Sequence, residues 1–178
     1  DSFTGTDANN NTLFGYNAGT AITDGDRNTA VGSGALDTNT TGSQNTAIGM
    51  NALYTNSTGS NNVAVGENAL SLSTTASDNV AVGDEALEAN TTGTYNTAVG
   101  RQSLEANTTA DANTAVGYKS LLSNTTGAYN TAVGYRSLLN NTTASNNTAM
   151  GWDSMKSSST GADNTSIGYK ALYANTTG

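Results

Sequence analysis

Apolar positions along this chain follow neither a helical nor a simple alternating period; they return every 17 residues. Asn11, Asn28, Asn45, Asn62, Asn79, Asn96, Asn113, Asn130, Asn147 and Asn164 mark the phase without one slip. Each opens a related phrase, as in Asn28-Thr29-Ala30-Val31-Gly32 and Asn62-Val63-Ala64-Val65-Gly66. Ala35-Leu36 follows in the first of these, and Asn39-Thr40-Thr41-Gly42 closes the unit. A helical repeat needs about 33 residues or more for its two helices and turns. Seventeen residues instead fit one coil of a β-solenoid, with two or three short strands separated by turns. Val, Ile and Thr favour strand, whereas Gly and Asn-Thr-Thr-Gly punctuate it. No Asn-Gly dipeptide supplies the strongest hairpin signal, so strands coiling forward are expected rather than up-and-down hairpins. The reading is all-β: residues 1–10 form a lead-in or partial coil, and residues 11–178 form ten stacked coils, the last incomplete.

Stacking puts each residue about 4.8 Å from its equivalent 17 positions later, so the chain reads as columns. Two apolar columns are expected to line the interior, represented by Val31, Val65, Val99 and Val133 and by Leu36, Leu70, Leu104 and Leu138. Between the Thr/Val and Val/Ile positions lies a column of Ala30, Ala47, Ala64, Ala81, Ala98, Ala115, Ala132 and Ala149. In a strand that column points away from the Val column. Ala is a poor strand former, and a solvent-facing site should drift to Thr, Lys or Glu. Its constancy therefore predicts a face packed against another copy. The core is thin on this assignment, which also favours an oligomer. Asn28, Asn45, Asn62, Asn79, Asn96, Asn113, Asn130 and Asn147 are expected to form an amide ladder. The invariant Gly15-to-Gly168 column implies positive φ or close backbone approach. A second Gly column accepts Ala76, Ala110 and Ala144 and so need not be left-handed.

Composition narrows function more than fold. The 178 residues include no Pro, Cys or His. Disulfides, thiolate zinc sites, Cys nucleophiles and His-based catalysis are excluded. No apolar run exceeds four residues, so no membrane insertion is expected. The net charge of −8 lacks the basic footprint of a nucleic-acid binder. Residues 1–89 hold ten acids and one base, and residues 90–178 four acids and five bases. If the rod axis follows the sequence, head-to-tail contact brings Asp7, Asp24 and Asp26 near Lys156 and Lys170, predicting a longitudinal filament. The chain opens on Asp1 and reads as a piece of something longer.

Little in the chain looks like a site for chemistry, and no catalytic residue, cofactor or metal is assigned. Asp24-Gly25-Asp26-Arg27-Asn28 begins like a calcium loop but has Thr29 and Ala35 where Gly and Glu are needed. Adjacent Asp84 and Glu85 imply no cleft for paired-carboxylate hydrolysis. Tyr118, Tyr135, Trp152 and Tyr169 stack in four consecutive coils and form a possible contact strip for surface polysaccharide or another fibre. Stacked aromatics also stabilise any sheet. Asn39, Asn90, Asn107, Asn124, Asn141 and Asn175 sit in glycosylation sequons that the repeat itself generates. The Thr-rich columns raise an ice-binding alternative, although Thr40 and Thr41, as neighbours, point to different faces.

The phrase Asn-Thr-Ala-Val-Gly-x-x-Ala-Leu-x-x-Asn-Thr-Thr-Gly resembles repeats of bacterial and phage tail-fibre proteins. It is also similar to the head repeats of YadA-like trimeric autotransporter adhesins, with Asn62-Val63-Ala64-Val65-Gly66 and Asn45-Thr46-Ala47-Ile48-Gly49 carrying the likeness. That resemblance covers residues 11–178. It implies a left-handed parallel β-roll, trimerised along its length and displayed outside the cell or on a virion tail. The expectation is a non-enzymatic, self-associating fibre or adhesin shaft that spaces or presents a binding tip. The alternative is a glycan-binding module using the aromatic strip.

Overall fold

The computed structural model describes residues 9–176; the lead-in expected before residue 9, Asp7 included, lies outside them. Ten three-residue strands, from β1 (Thr12–Phe14) through β6 (Thr97–Val99) and β7 (Thr114–Val116) to β10 (Thr165–Ile167), form one parallel sheet in sequence order. Register is constant: Thr97 pairs with Thr114, Ala98 with Ala115 and Val99 with Val116. The chain is an all-β solenoid with a 17-residue coil, and the described residues contain no helix.

Each coil holds one strand, not two or three. Three positions per unit take the left-handed conformation, as Gln102, Leu104 and Ala112 do in one coil, and such residues interrupt extended backbone. Coil-to-coil bonding nevertheless continues through the turns. Gln102 N–H donates to Asp84 O, Leu104 N–H to Ser120 O, Ala106 N–H to Leu122 O and Ala112 N–H to Thr94 O. The backbone groups thus find partners above and below without a second strand. Gly100, at φ 126°, has both properties the sequence implied for its column: a Cβ there would collide with the Gly117 carbonyl. The second Gly column avoids positive φ, as its Ala members require.

Two of the column assignments are reversed. Ala30, Ala47, Ala64, Ala81, Ala98, Ala115, Ala132 and Ala149 are completely buried inside the coil, not on an outer face. Val31, Val65, Val99 and Val133 point outward and are at least partly exposed, Val99 at 37%. The reason is the bore of the coil. One column of large side chains fills it, and that column is Leu36, Leu53, Leu70, Leu87, Leu104, Leu121, Leu138 and Met155, all 0% exposed. Only Ala fits on the strand opposite. The constancy of Ala thus records internal close packing.

Polar packing completes the interior. Asn28, Asn45, Asn62, Asn79, Asn96, Asn113, Asn130 and Asn147 are fully buried. Asn96 Oδ1 accepts from Asn113 N–H at 3.0 Å, and its Nδ2 donates to Ala110 O at 2.8 Å. Each Asn therefore bonds to the next coil and clamps its own. A second ladder runs through Asn90, Asn107, Asn124 and Asn141, where Asn107 Nδ2 donates to Asn90 Oδ1 at 2.9 Å. In the sequence these residues read as turn punctuation and as sequons, not as a ladder.

Candidate functional site

Three surface features emerge from this cross-section. The first is the outer face of the sheet, where two side chains per coil point away from the interior. One column is Thr, or Val at Val63 and Val80; the other is Val or Ile, with Phe14 and Met150. Phe14 is 75% exposed, Ile48 39%, Met150 41% and Ile167 69%. Neither column contains a charged residue in any of the ten coils. The face is therefore a continuous uncharged strip along the whole sheet.

The second feature adjoins it just after the invariant Gly. Tyr118 and Tyr135 stack with centroids 5.3 Å apart, and Tyr135 and Trp152 with centroids 4.2 Å apart. Basic side chains lie against these rings: Lys119 Nζ is 5.3 Å from the Tyr118 centroid and the Arg136 guanidinium 4.9 Å from that of Tyr135. Lys170 sits over both Tyr169 and Tyr173. The predicted column thus exists, with Tyr118, Tyr135 and Trp152 in one stack. Within the stack, Tyr118, Tyr135 and Trp152 turn ring faces toward one another, while Trp152 is 50% and Tyr169 71% exposed. Rings stacked in this way form a ladder that stabilises adjacent coils.

The third feature is a charged edge formed with the same turn. Arg136 makes a bidentate ion pair with Asp153, at 2.8 and 2.9 Å. The hydrogen bond from Arg136 holds the Asp153 carboxyl below the usual carboxylate range, against the opposing effect of its desolvation. Arg101 pairs with Asp84 at 2.9 Å. Beside the Arg101–Asp84 pair, in the same two coils, Glu85, Glu88 and Glu105 bring carboxylate oxygens within 4.8 Å of one another. Desolvation first, then repulsion from neighbouring carboxylates led by Glu85, pushes the Glu88 and Glu105 carboxyls above the normal glutamate range. Asp84 and Glu85, adjacent in sequence, thereby serve different neighbours: Asp84 takes Arg101 and Glu85 accepts from Gln102 Nε2.

The remaining sequence motifs bring no chemistry together. Asp24 and Asp26 join no group of three carboxylates among the described residues. Asn39, Asn90, Asn107, Asn124 and Asn141 are fully buried, and the Nδ2 that glycosylation would use donates to a carbonyl, as Asn90 Nδ2 does to Gly93 O at 2.9 Å. Folded coils cannot present these five sequons; Asn175, in the last coil, is only half-buried. The Thr40 column is also engaged: Thr40, Thr91 and Thr125 donate their hydroxyls to carbonyls of the next coil. No helix among the described residues is long and apolar enough to cross a membrane. No protein-family model matches the chain, and neither the curated proteins nor the solved structures contain a significant match.

Proposed function

We propose that this chain is a non-enzymatic structural shaft that self-associates along the outer face of its sheet, spacing or presenting a binding tip outside the cell or on a virion tail. The observation that carries the reading is the uncharged strip of Thr, Val and Ile running the length of the solenoid. Eighteen of the chain's twenty charged residues fall in residues 9–176, and every one of them lies outside these two columns. At roughly 40 Å² from each of the twenty strip side chains, a copy would contribute about 800 Å², the size of one side of a standard specific interface. The Val and Ile column makes up half of that area as a continuous apolar row, bordered by uncharged Thr, and exposed apolar surface of this kind marks an association site. The resemblance to tail-fibre and adhesin-head repeats supports extracellular display and a trimer as the assembly.

The contact face differs from the Ala face that the sequence favoured, because the strand turns its Val side chains outward. Val99→Lys with Val116→Lys should reduce the particle to a monomer in sedimentation velocity while the β-sheet circular dichroism stays unchanged. An unaltered particle mass for that variant would defeat the proposal. The glycan-binding alternative has weaker support, since Tyr118 and Tyr135 spend ring faces on stacking with each other and with Trp152.

A further inference from the structure

The charged edge is ordered along the rod. It consists of three columns, represented in one coil by Tyr118, Lys119 and Leu122; contacts such as Lys119 with Tyr118 and Lys170 with Tyr173 show that they share one side. Counting coils from Asn11, coils 4 to 6 carry Glu67, Asp84, Glu85, Glu88 and Glu105 on this edge against Arg101 alone. Coils 7 to 10 carry Lys119, Arg136, Lys156 and Lys170 against Asp153 alone. The sign changes at the seam between Gln102 and Lys119.

We propose that this edge binds a second copy of the chain in antiparallel orientation, about a two-fold axis at that seam. An isologous contact requires the same patch to complement itself, and this one does in net charge, with the minority charges Arg101 and Asp153 held within their own chain by Asp84 and Arg136. With coils 6 and 7 opposed, Lys119 of one copy meets the coil of Glu105 in the other. Arg136 then meets the coil of Asp84, Glu85 and Glu88, and Lys156 meets the coil of Glu67. Parallel pairing would set acid against acid. The crowding of Glu85, Glu88 and Glu105 favours the same arrangement, because a partner's cation relieves the repulsion they exert on one another. The contact is separate from the strand-face association and uses a different side of the rod, so it would join shafts laterally.

Two charge-reversed proteins test it. Glu85→Lys/Glu88→Lys cancels the net acidic charge of the edge's first half and leaves its second half basic, and Lys119→Glu/Lys156→Glu makes its second half acidic. Every substitution places a charge sign that the same column already carries in another coil, so the coils should fold. Sedimentation velocity should show wild-type mass doubling at low salt and returning to its basal value at high salt, where exposed charges are screened. Each variant alone should remain at the basal mass, and an equimolar mixture should double. Val99→Glu should change the basal mass but leave the low-salt doubling, which separates this contact from the strand-face association. The chain has no cysteine, so orientation is read from single replacements. Gln102→Cys should crosslink to its own mate, about 5 Å away along the axis, whereas Asn51→Cys, about 34 Å from its mate by coil spacing, should not. Doubling by either variant alone, no doubling of the mixture, or equal crosslinking at both sites would overturn the proposal.

Discussion

At the scale of single residues, the second amide ladder shows how much each link matters. Asn56 Oδ1 and Asn141 Oδ1 are buried without a hydrogen-bond partner among the described groups. In both cases the next coil carries Ser, Ser73 or Ser158, where the ladder would supply Asn. The Ser hydroxyl is too short to reach, and both Ser oxygens are also without partners. Ser73→Asn and Ser158→Asn should each restore a link and stabilise the solenoid by about 1 kcal/mol in thermal or denaturant unfolding. In the first ladder, Asn96→Asp should cost about 3 kcal/mol, because a carboxylate replaces the amide that donates to Ala110 O. The Asn columns and the invariant Gly were legible in the sequence, since strict recurrence at a single polar residue type admits few physical causes. The left-handed conformation of Leu104, at φ 52°, was not. Leu rarely adopts it, and only the need to fill the bore from a tight turn holds it there.

At the scale of the coil, the sequence pattern gave the unit length, the strand position and the Leu side of the core. It misassigned which face of the strand is inside. Alternation in Thr97-Ala98-Val99 separates two faces but does not say which is inward, and hydrophobicity favours Val over Ala for the core. Bore width decides the matter: Leu on one wall leaves room only for Ala on the other. The charged turn was read residue by residue in the sequence, so the grouping of Glu85, Glu88 and Glu105 across two coils went unseen until the fold placed them together. Their raised carboxyl pKa values have a stability consequence with a defined sign. Folding favours the protonated forms, so this contribution is fully present below the unfolded-state glutamate pKa and is lost as pH rises through the folded values. Glu88→Gln/Glu105→Gln should therefore raise Tm at neutral pH. The gain should shrink as the buffer is acidified and vanish below the unfolded glutamate range. An increment that does not change with pH would mean the carboxylates do not repel as their geometry indicates.

At the scale of the whole molecule, the acids and bases named for an end-to-end contact do not share columns. Asp24 and Asp26 lie on different columns from Lys156 and Lys170, so stacking one rod on another in phase would not bring them together. Much of the asymmetry lies along one long edge, where Glu67, Asp84, Glu85 and Glu88 precede Lys119, Arg136, Lys156 and Lys170, and there it acts sideways. The outer sheet face is uncharged and runs the same length, which is why association is expected there first. Ala98 and Val99 together test the account most directly, because they are neighbours in β6 with opposite orientations. Ala98→Tyr should destroy the coil, with loss of cooperative unfolding and of β-sheet circular dichroism, since the bore has no space for a ring. Val99→Asp should keep the sheet spectrum and Tm of a folded solenoid while lowering the particle mass in sedimentation velocity. The opposite pattern, a folded Ala98→Tyr protein and a collapsed Val99→Asp protein, would contradict the account.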